Sequence, residues 1–317
     1  MARGLLVVAA AMVAILAALA ASAVAFGVPE IPLASLRSKY SAPTSRFLTL
    51  KDGAVIHVRE EGPQHARTIL MVPGVQSSLD VWNGWIEALR DEYHIVAVDL
   101  PGQGLSDSWA RNDYSIAAFD SFVTEVAAAL GVERFTFAGH SMSGAMGWRY
   151  ALAHPERVEA LILVSAGGFV TEGAGPIVQF HILASPILGP WARQFMTRNG
   201  VRRVLRQAYG NPDLVSDALV TQTYEMINGA GHRASLGQRL GYLMSYEPVS
   251  RIDAVRVPTL IVWGDKDRLR PVVYAGMFHE HIKGAVLRIH QGVGHFAMEE
   301  APAATAADVR AFMHSLR

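Results

Sequence analysis

The sequence passes from an apolar, strand-like run into a small-residue turn at Phe135-Thr136-Phe137-Ala138-Gly139-His140-Ser141-Met142-Ser143-Gly144, and a helix-like segment follows at residues 145–154. This pattern is typical of a sharp strand-to-helix turn that presents a serine hydroxyl at the carboxyl edge of a sheet. Gly139 and Ser143 are predicted to be small because strand and helix nearly touch there. The pattern favours Ser141 as a nucleophile; an ordinary Ser-Gly turn is the alternative.

A serine hydroxyl is a poor nucleophile until a neighbouring base accepts its proton. Where the chain order is serine, acid and histidine, the base comes after the last strand. The last predicted strand is followed by Gln291-Gly292-Val293-Gly294-His295-Phe296. His295 is therefore predicted to lie on a glycine-rich loop at the edge of the sheet. His140 is expected to point away from the nucleophile and to be structural.

The acid that orients this histidine is expected at the end of an earlier strand. Two candidates close the run Thr259-Leu260-Ile261-Val262-Trp263-Gly264-Asp265-Lys266-Asp267. Either carboxylate can accept the imidazole N–H and fix its tautomer. Spacing alone leaves Asp265 and Asp267 both open.

The rest of the chain alternates strand-like apolar runs with helix-like segments, which predicts a mostly parallel sheet with helices on both faces. Ser78 and Ser115 are predicted helix caps. Between residues 168 and 257 the alternation stops, and an insertion of this length between two strands indicates a helical lid. The predicted strands are Val55–Val58, Thr68–Val72, Ile95–Asp99, Phe135–Ala138, Leu161–Val164, Thr259–Trp263 and Ala285–Ile289.

Five segments, taken in order, resemble the α/β-hydrolase family in its lidded serine esterase-like branch. The resemblance covers residues 46–317 and implies that family's fold, with Asp267 as the acid and Asp265 in reserve. Residues 99–107 resemble the turn that follows an inner strand of the family, which gives them a structural role. The five segments are Val72-Pro73-Gly74, Asp99-Leu100-Pro101-Gly102-Gln103-Gly104-Leu105-Ser106-Asp107, Gly139-His140-Ser141-Met142-Ser143-Gly144, Trp263-Gly264-Asp265-Lys266-Asp267 and Gly294-His295.

The resemblance also implies an oxyanion hole, in which two backbone N–H groups face the charge that develops on the substrate. One donor would be Met142, directly after the nucleophile, and the other Val75. The chain departs from the family pattern at Pro73, where histidine is usual, and at Ser143, where glycine is usual. Pro73 has no N–H to donate, but the donor that the hole needs is Val75.

The N-terminal residues predict a membrane or export segment. An uncharged run covers residues 5–26, and its 22 residues, at about 1.5 Å each, would span roughly 33 Å, close to the thickness of a bilayer core. Arg3 precedes the run, which favours an exported catalytic body. The segment is predicted to anchor the protein in the membrane, or to be a cleaved signal that leaves a secreted or periplasmic protein.

The chain is thus predicted to contain four parts. Residues 1–26 are the signal or anchor, 27–45 a tether, 46–167 with 258–317 the α/β-hydrolase core, and 168–257 the helical lid. The tether is inferred from its prolines and serines.

Composition excludes several other functions. The formal net charge is +0, which gives no basic surplus for nucleic acid, and the chain has no Cys for disulfides or thiolate chemistry. No glycine-rich dinucleotide motif opens a helix after the first strand. The histidines of His279-Glu280-His281 are two residues apart and would face opposite sides of a helix, so no metal site is predicted. No cofactor is expected.

The predicted function is hydrolysis of a carboxylic ester of a small to medium apolar substrate through an acyl-enzyme. Two alternatives stay open. The same three residues can hydrolyse a carbon–carbon bond next to a carbonyl, and the run Trp263-Gly264 with Asp267-Arg268 resembles that branch as well. The fold can also serve as a ligand-binding module that performs no catalysis. A small-molecule ester is the expected partner.

Overall fold

The computed structural model describes residues 25–109, 112–169, 178–244 and 251–316, together with 14, 17–18 and 21–23. Eight strands form one sheet in the order β1-β2-β4-β3-β5-β6-β7-β8, antiparallel at β1/β2 and β2/β4 and parallel elsewhere. The predicted fold class is confirmed. The strands are β1 Ser45–Thr49, β2 Val55–Glu61, β3 Thr68–Val72, β4 His94–Val98, β5 Phe135–His140, β6 Val158–Val164, β7 Thr259–Gly264 and β8 Val286–His290.

Helices cover both faces of this sheet and the carboxyl ends of its strands. Short 3-10 turns occur at Leu79–Trp82, Arg193–Phe195, Pro212–Leu214 and Ile252–Ala254. The α-helices whose bounds lie within the described residues are α1 Leu33–Tyr40, α2 Asn83–Leu89, α3 Ile116–Ala129, α4 Met142–Ala153, α5 Val178–Ala184, α6 Gly189–Ala192, α7 Arg198–Ala208, α8 Asp217–Ile227, α9 His232–Met244, α10 Val273–His281, α11 Ala297–Glu300 and α12 Pro302–Ser315.

Strand β3 shows why the central strands are continuous apolar runs. All five of its residues are buried. Because side chains alternate across a strand, Leu70 and Val72 join the core on one face of the sheet, while Ile69 and Met71 join the core on the other. A strand that is buried on both faces needs apolar residues at every position.

Strand β1 is not among the strands predicted from the sequence. It is short and lies at the edge of the sheet, and three of its five residues are exposed, so the apolar pattern is weak. The signal that could have revealed it is Asp52-Gly53, a dipeptide common in hairpin turns. Gly53 has φ +86°, in the left-handed region, and the turn joins β1 to its antiparallel partner β2.

The segment predicted as a tether, residues 27–45, contains helix α1 and is bound to the body of the protein. Leu36 is 1% exposed. Arg37 forms an ion pair with Asp107 at 2.8 Å, and Lys39 pairs with Glu225 at 2.7 Å. One buried leucine and two ion pairs thus attach this segment to the core and the lid, although its prolines suggested a tether.

Residues 178–244 form helices α5–α9, in the region predicted to be a lid. These helices contact the loops that leave the carboxyl ends of the strands. Arg239 donates to the carbonyls of Pro101 and Gly102 at 2.6 and 2.9 Å, and Gln222 donates to Asp80 at 2.8 Å. The inserted helices therefore lie over the sheet edge where Ser141 is found.

Within the described part of the chain, no helix is long and apolar enough to cross a bilayer. Most of the apolar run at residues 5–26 falls outside the described residues.

Candidate active site

Ser141 occupies the turn between β5 and α4 in a conformation that few non-glycine residues adopt. Its φ is 53° and its ψ is −114°. Its N–H donates to the Val164 carbonyl at 2.9 Å, and its own carbonyl accepts the Gly167 N–H at 2.8 Å. Neighbouring backbone thus holds the strained residue in place, as at the sharp turns that present nucleophiles.

The small residues around Ser141 have distinct steric reasons. A Cβ on Gly139 would lie 2.6 Å from the Ser143 carbonyl oxygen, and one on Gly144 would lie 2.6 Å from the Cβ of Ala166. Ser143 itself is fully buried and donates its hydroxyl to the Pro73 carbonyl at 2.6 Å. The two departures from the family pattern, Pro73 and Ser143, therefore contact each other and join the turn to the loop after β3.

His295 and Asp267 lie side by side at the same edge of the sheet. The Nδ1 of His295 is 2.8 Å from Oδ2 of Asp267. The other carboxylate oxygen, Oδ1, accepts the N–H groups of Leu269 and Arg270 at 2.9 and 2.8 Å. Both side chains are at least 95% buried, so the carboxylate is held as the acceptor for one ring nitrogen, which leaves the other to take a proton.

Asp265 has a different position. Its Oδ1 accepts the N–H of Gly292 at 2.6 Å, which holds the loop that carries His295. Its other oxygen lies 3.4 Å from Lys266 Nζ. Of the two aspartates that spacing left open, the structure places Asp267 against the histidine ring.

Ser141, Asp267 and His295 follow β5, β7 and β8, and all three are buried at the carboxyl edge of the sheet. Among the described hydrogen bonds, none joins the Ser141 hydroxyl to the His295 ring. In the absence of substrate such bonds are often long and shorten in the substrate complex.

His140 packs against the histidine at the site. Its Nε2 donates to the His295 carbonyl at 3.1 Å, and the two ring centroids are 4.7 Å apart. Burial, followed by the nearby His295, lowers the pKa of His140 well below its usual range. A neutral His140 therefore supports the backbone of His295, in agreement with the structural role expected from the sequence.

The two predicted oxyanion donors are Met142, which follows Ser141 in the chain, and Val75, whose neighbour Gly74 lies close to Ser141. Met142 is the first residue of helix α4, where the backbone N–H has no partner within the helix. Val75 follows Gly74, and a Cβ on Gly74 would lie only 3.0 Å from the Cβ of Ser141. Gln103 Nε2 donates to the Gly74 carbonyl at 2.9 Å, which helps to fix the loop that carries the second donor.

A cavity of about 110 Å³ adjoins this site, between the lid helices and the loops after β3 and β4. Gln76 and Phe296, the sequence neighbours of Val75 and His295, lie in its wall. Leu205, Leu219 and Leu236 supply apolar lining from the lid. The cavity therefore lies near the candidate reacting groups, although Ser141, Asp267 and His295 are not among its lining residues.

The same cavity contains polar residues that sequence reasoning missed. Gln103, Arg239 and Glu299 all line it. Burial raises the pKa of the Glu299 carboxyl to about 7 and lowers the pKa of Arg239 to about 10. Gln103 was assigned a structural role in a turn. Arg239 and Glu299 belong to no local sequence pattern, and they meet only because the lid folds over the sheet edge.

Comparisons with known proteins agree with this architecture. A family model described as alpha/beta hydrolase fold matches residues 67–180. An uncharacterised protein of Mycobacterium tuberculosis is 30% identical over 286 residues, which cover 86% of this chain and 81% of the relative. The 2-hydroxy-6-oxononadienedioate/2-hydroxy-6-oxononatrienedioate hydrolase 2 of Pseudomonas putida is 27% identical over 272 residues, 82% of this chain and 92% of the relative.

One solved structure, of a membrane phospholipase A described as a bacterial virulence factor, has a TM-score of 0.76 and 25% identity and covers 100% of this chain and 99% of its own. The chain belongs to the α/β-hydrolase family. Its family and its fold together identify the protein as a hydrolase.

Proposed function

We propose that the protein is a serine hydrolase that cleaves carboxylic esters through an acyl-enzyme. The observation that carries the proposal is the buried His295–Asp267 pair at 2.8 Å, at the sheet edge where Ser141 occupies its strained turn. A buried carboxylate on one ring nitrogen keeps the other nitrogen free to act as a base, the role that nucleophilic serine requires.

In the proposed reaction, the Ser141 oxygen attacks the ester carbonyl carbon while Nε2 of His295 takes the hydroxyl proton. The N–H groups of Met142 and Val75 stabilise the oxyanion. The tetrahedral intermediate collapses, the C–O bond to the alcohol breaks, and His295 returns the proton to the alcohol. Water, deprotonated by His295, then releases the carboxylic acid and restores Ser141.

Two observations support an ester as the substrate. The apolar lid residues of the cavity suit the hydrocarbon part of an ester. The membrane phospholipase A whose structure spans this whole chain at 25% identity is named for the hydrolysis of a lipid ester.

Hydrolysis of a carbon–carbon bond is the second candidate. It is favoured by the similarity to the hydrolase of Pseudomonas putida, which is named for 2-hydroxy-6-oxo-dienedioate substrates. The same nucleophile, base and oxyanion donors would serve this reaction, because it also begins at a carbonyl carbon.

Parallel assays of the full-length protein separate the two candidates. We expect turnover of p-nitrophenyl butyrate, followed at 405 nm, and little loss of absorbance from a 2-hydroxy-6-oxo-dienoate. The ester proposal is contradicted if the dienoate has the higher kcat/KM by about tenfold or more, a difference of ~1.4 kcal/mol in transition-state stabilisation. Tight ligand binding without turnover of either substrate would instead favour the binding module.

We further propose that residues 1–26 hold the exported enzyme at a membrane. The described residues at the end of this segment support it: Phe26 is 78% exposed, and Ser22 accepts a 2.8 Å hydrogen bond from Trp191 Nε1 of helix α6. Ile187, also in the lid, is 73% exposed. Exposed apolar side chains thus occur both at the end of this segment and in the lid, which the segment contacts through Ser22.

Cell fractionation tests this localisation. The full chain should sediment with membranes and be released by detergent, whereas a protein of residues 27–317 should lose most of this association. A full-length chain of unchanged mass in the soluble fraction would contradict the anchor, and a soluble chain shortened near residue 25 would show a cleaved signal.

A further inference from the structure

Two residues that line the cavity near the candidate active site each have one buried polar atom without a hydrogen-bond partner among the described residues. These atoms are Oε1 of Gln103 and Nε of Arg239. Both side chains are more than 95% buried. A buried polar group without a partner costs about 1–3 kcal/mol, so these two atoms in one cavity wall indicate a ligand that bonds to them.

The two atoms differ in hydrogen-bonding type. The amide oxygen of Gln103 accepts, and the Nε–H of Arg239 donates. The remaining polar atoms of these groups are occupied, because Gln103 Nε2 donates to Gly74 and the Arg239 Nη atoms donate to Pro101 and Gly102. A hydroxyl is the smallest single group that can give a proton to the amide oxygen and accept one from the guanidinium.

The rest of the wall favours a neutral, hydroxylated group over an ion. Ser77, Gln76 and Thr223 present uncharged polar side chains. Asp80, and Glu299 when it is ionised, would repel a carboxylate or phosphate, while Arg239 would repel an ammonium group. The volume of about 110 Å³ is several times what one water needs, so the cavity has room for a small polyol.

We propose that this cavity, which we call the Gln103–Arg239 pocket, binds the alcohol part of the ester when that part is a short polyol such as glycerol. The inference rests on the proposed ester hydrolysis. The substrate class of the enzyme is then the monoacyl ester of a small polyol. A free hydroxyl of the polyol bonds to Gln103 and Arg239, while the acyl chain lies against the apolar lid residues.

The test compares 1-monobutyrin with propyl butyrate, which has the same carbon skeleton without the two free hydroxyls. The full-length protein should hydrolyse 1-monobutyrin with a kcat/KM about 10- to 100-fold higher, because the deoxy ester leaves the two buried atoms unpaired. In Gln103→Met, which keeps side-chain length but removes the acceptor, this ratio should fall towards one. Arg239→Lys, which keeps the charge but removes Nε–H, should also lower it.

The ratio of the two kcat/KM values distinguishes an effect on the pocket from an effect on the catalytic residues. A change in the loop at Gly74 would slow the hydrolysis of both esters alike and leave this ratio unchanged. Gln207→Met, an exposed substitution on helix α7, should leave the ratio unchanged. A ratio near one in the unaltered protein, as for a cavity that holds only water, overturns the proposal. So does a high ratio that survives in both pocket variants.

If the protein hydrolyses neither ester, the proposed function fails. Saturation-transfer NMR with the same two esters then tests separately whether the pocket binds the polyol. Transfer to the glycerol protons of 1-monobutyrin that is lost in Gln103→Met supports the pocket. Equal transfer in both proteins overturns it.

Discussion

Replacement of Ser141 by alanine is expected to lower kcat on p-nitrophenyl butyrate by roughly 10⁵–10⁶-fold, the size of loss seen when a serine nucleophile is removed from such a triad. Without the hydroxyl no acyl-enzyme forms, and the oxyanion donors together with substrate binding leave a residual acceleration of about 10³–10⁴-fold over water. Alanine also has a Cβ, so the strained backbone at φ 53° keeps the same steric environment. The loss should therefore appear in kcat with a native circular-dichroism spectrum.

Ser143→Ala is the matched control for this result, since it removes a second buried hydroxyl from the same turn. It breaks the 2.6 Å hydrogen bond to the Pro73 carbonyl, which costs about 1–3 kcal/mol of stability, and its activity should fall far less. Equal losses in the two variants would mean that the turn, and not the Ser141 hydroxyl, is what activity requires.

The second large effect is expected at Asp267. Asp267→Asn should lower kcat by about 10⁴-fold, because an amide in place of the carboxylate favours the wrong tautomer of the histidine ring. KM should change little, since Asp267 is buried behind His295 and its remaining oxygen already accepts two backbone N–H groups.

Asp265→Asn serves as the control for the acid. This carboxylate accepts one N–H from the loop at Gly292 and lies away from the His295 ring, so the loss should stay within about tenfold, the effect of one weakened hydrogen bond of ~1 kcal/mol. Reversed effects, with Asp265→Asn the more damaging, would transfer the acid role to Asp265.

Much of the fold could be predicted because its sheet is covered on both faces. Strands such as β3 and β5 are buried at every position, and the continuous apolar runs that result can be recognised in the sequence alone. β1 was missed because an edge strand with exposed residues has no such run. The docking of residues 27–45 was missed because it depends on ion pairs between residues far apart in the chain, such as Lys39 and Glu225.

The candidate site divides in the same way. Ser141 and His295 lie in short segments whose glycines mark their turns, so sequence alone could single them out. The choice between Asp265 and Asp267 rested on family resemblance, because two aspartates two residues apart differ only in which loop atoms they meet. Gln103, Arg239 and Glu299 could not be grouped beforehand, because only the packing of α9 and α11 against the loops of the sheet brings them to one cavity.

The most direct test of the central claim is to label the full-length protein with a fluorophosphonate and locate the adduct by peptide mass spectrometry. We predict one adduct, on Ser141, formed in the native protein, absent after heat denaturation, and strongly slowed in Asp267→Asn. A folded protein that gains no adduct, or carries it on another serine, would contradict the assignment of Ser141 as the nucleophile.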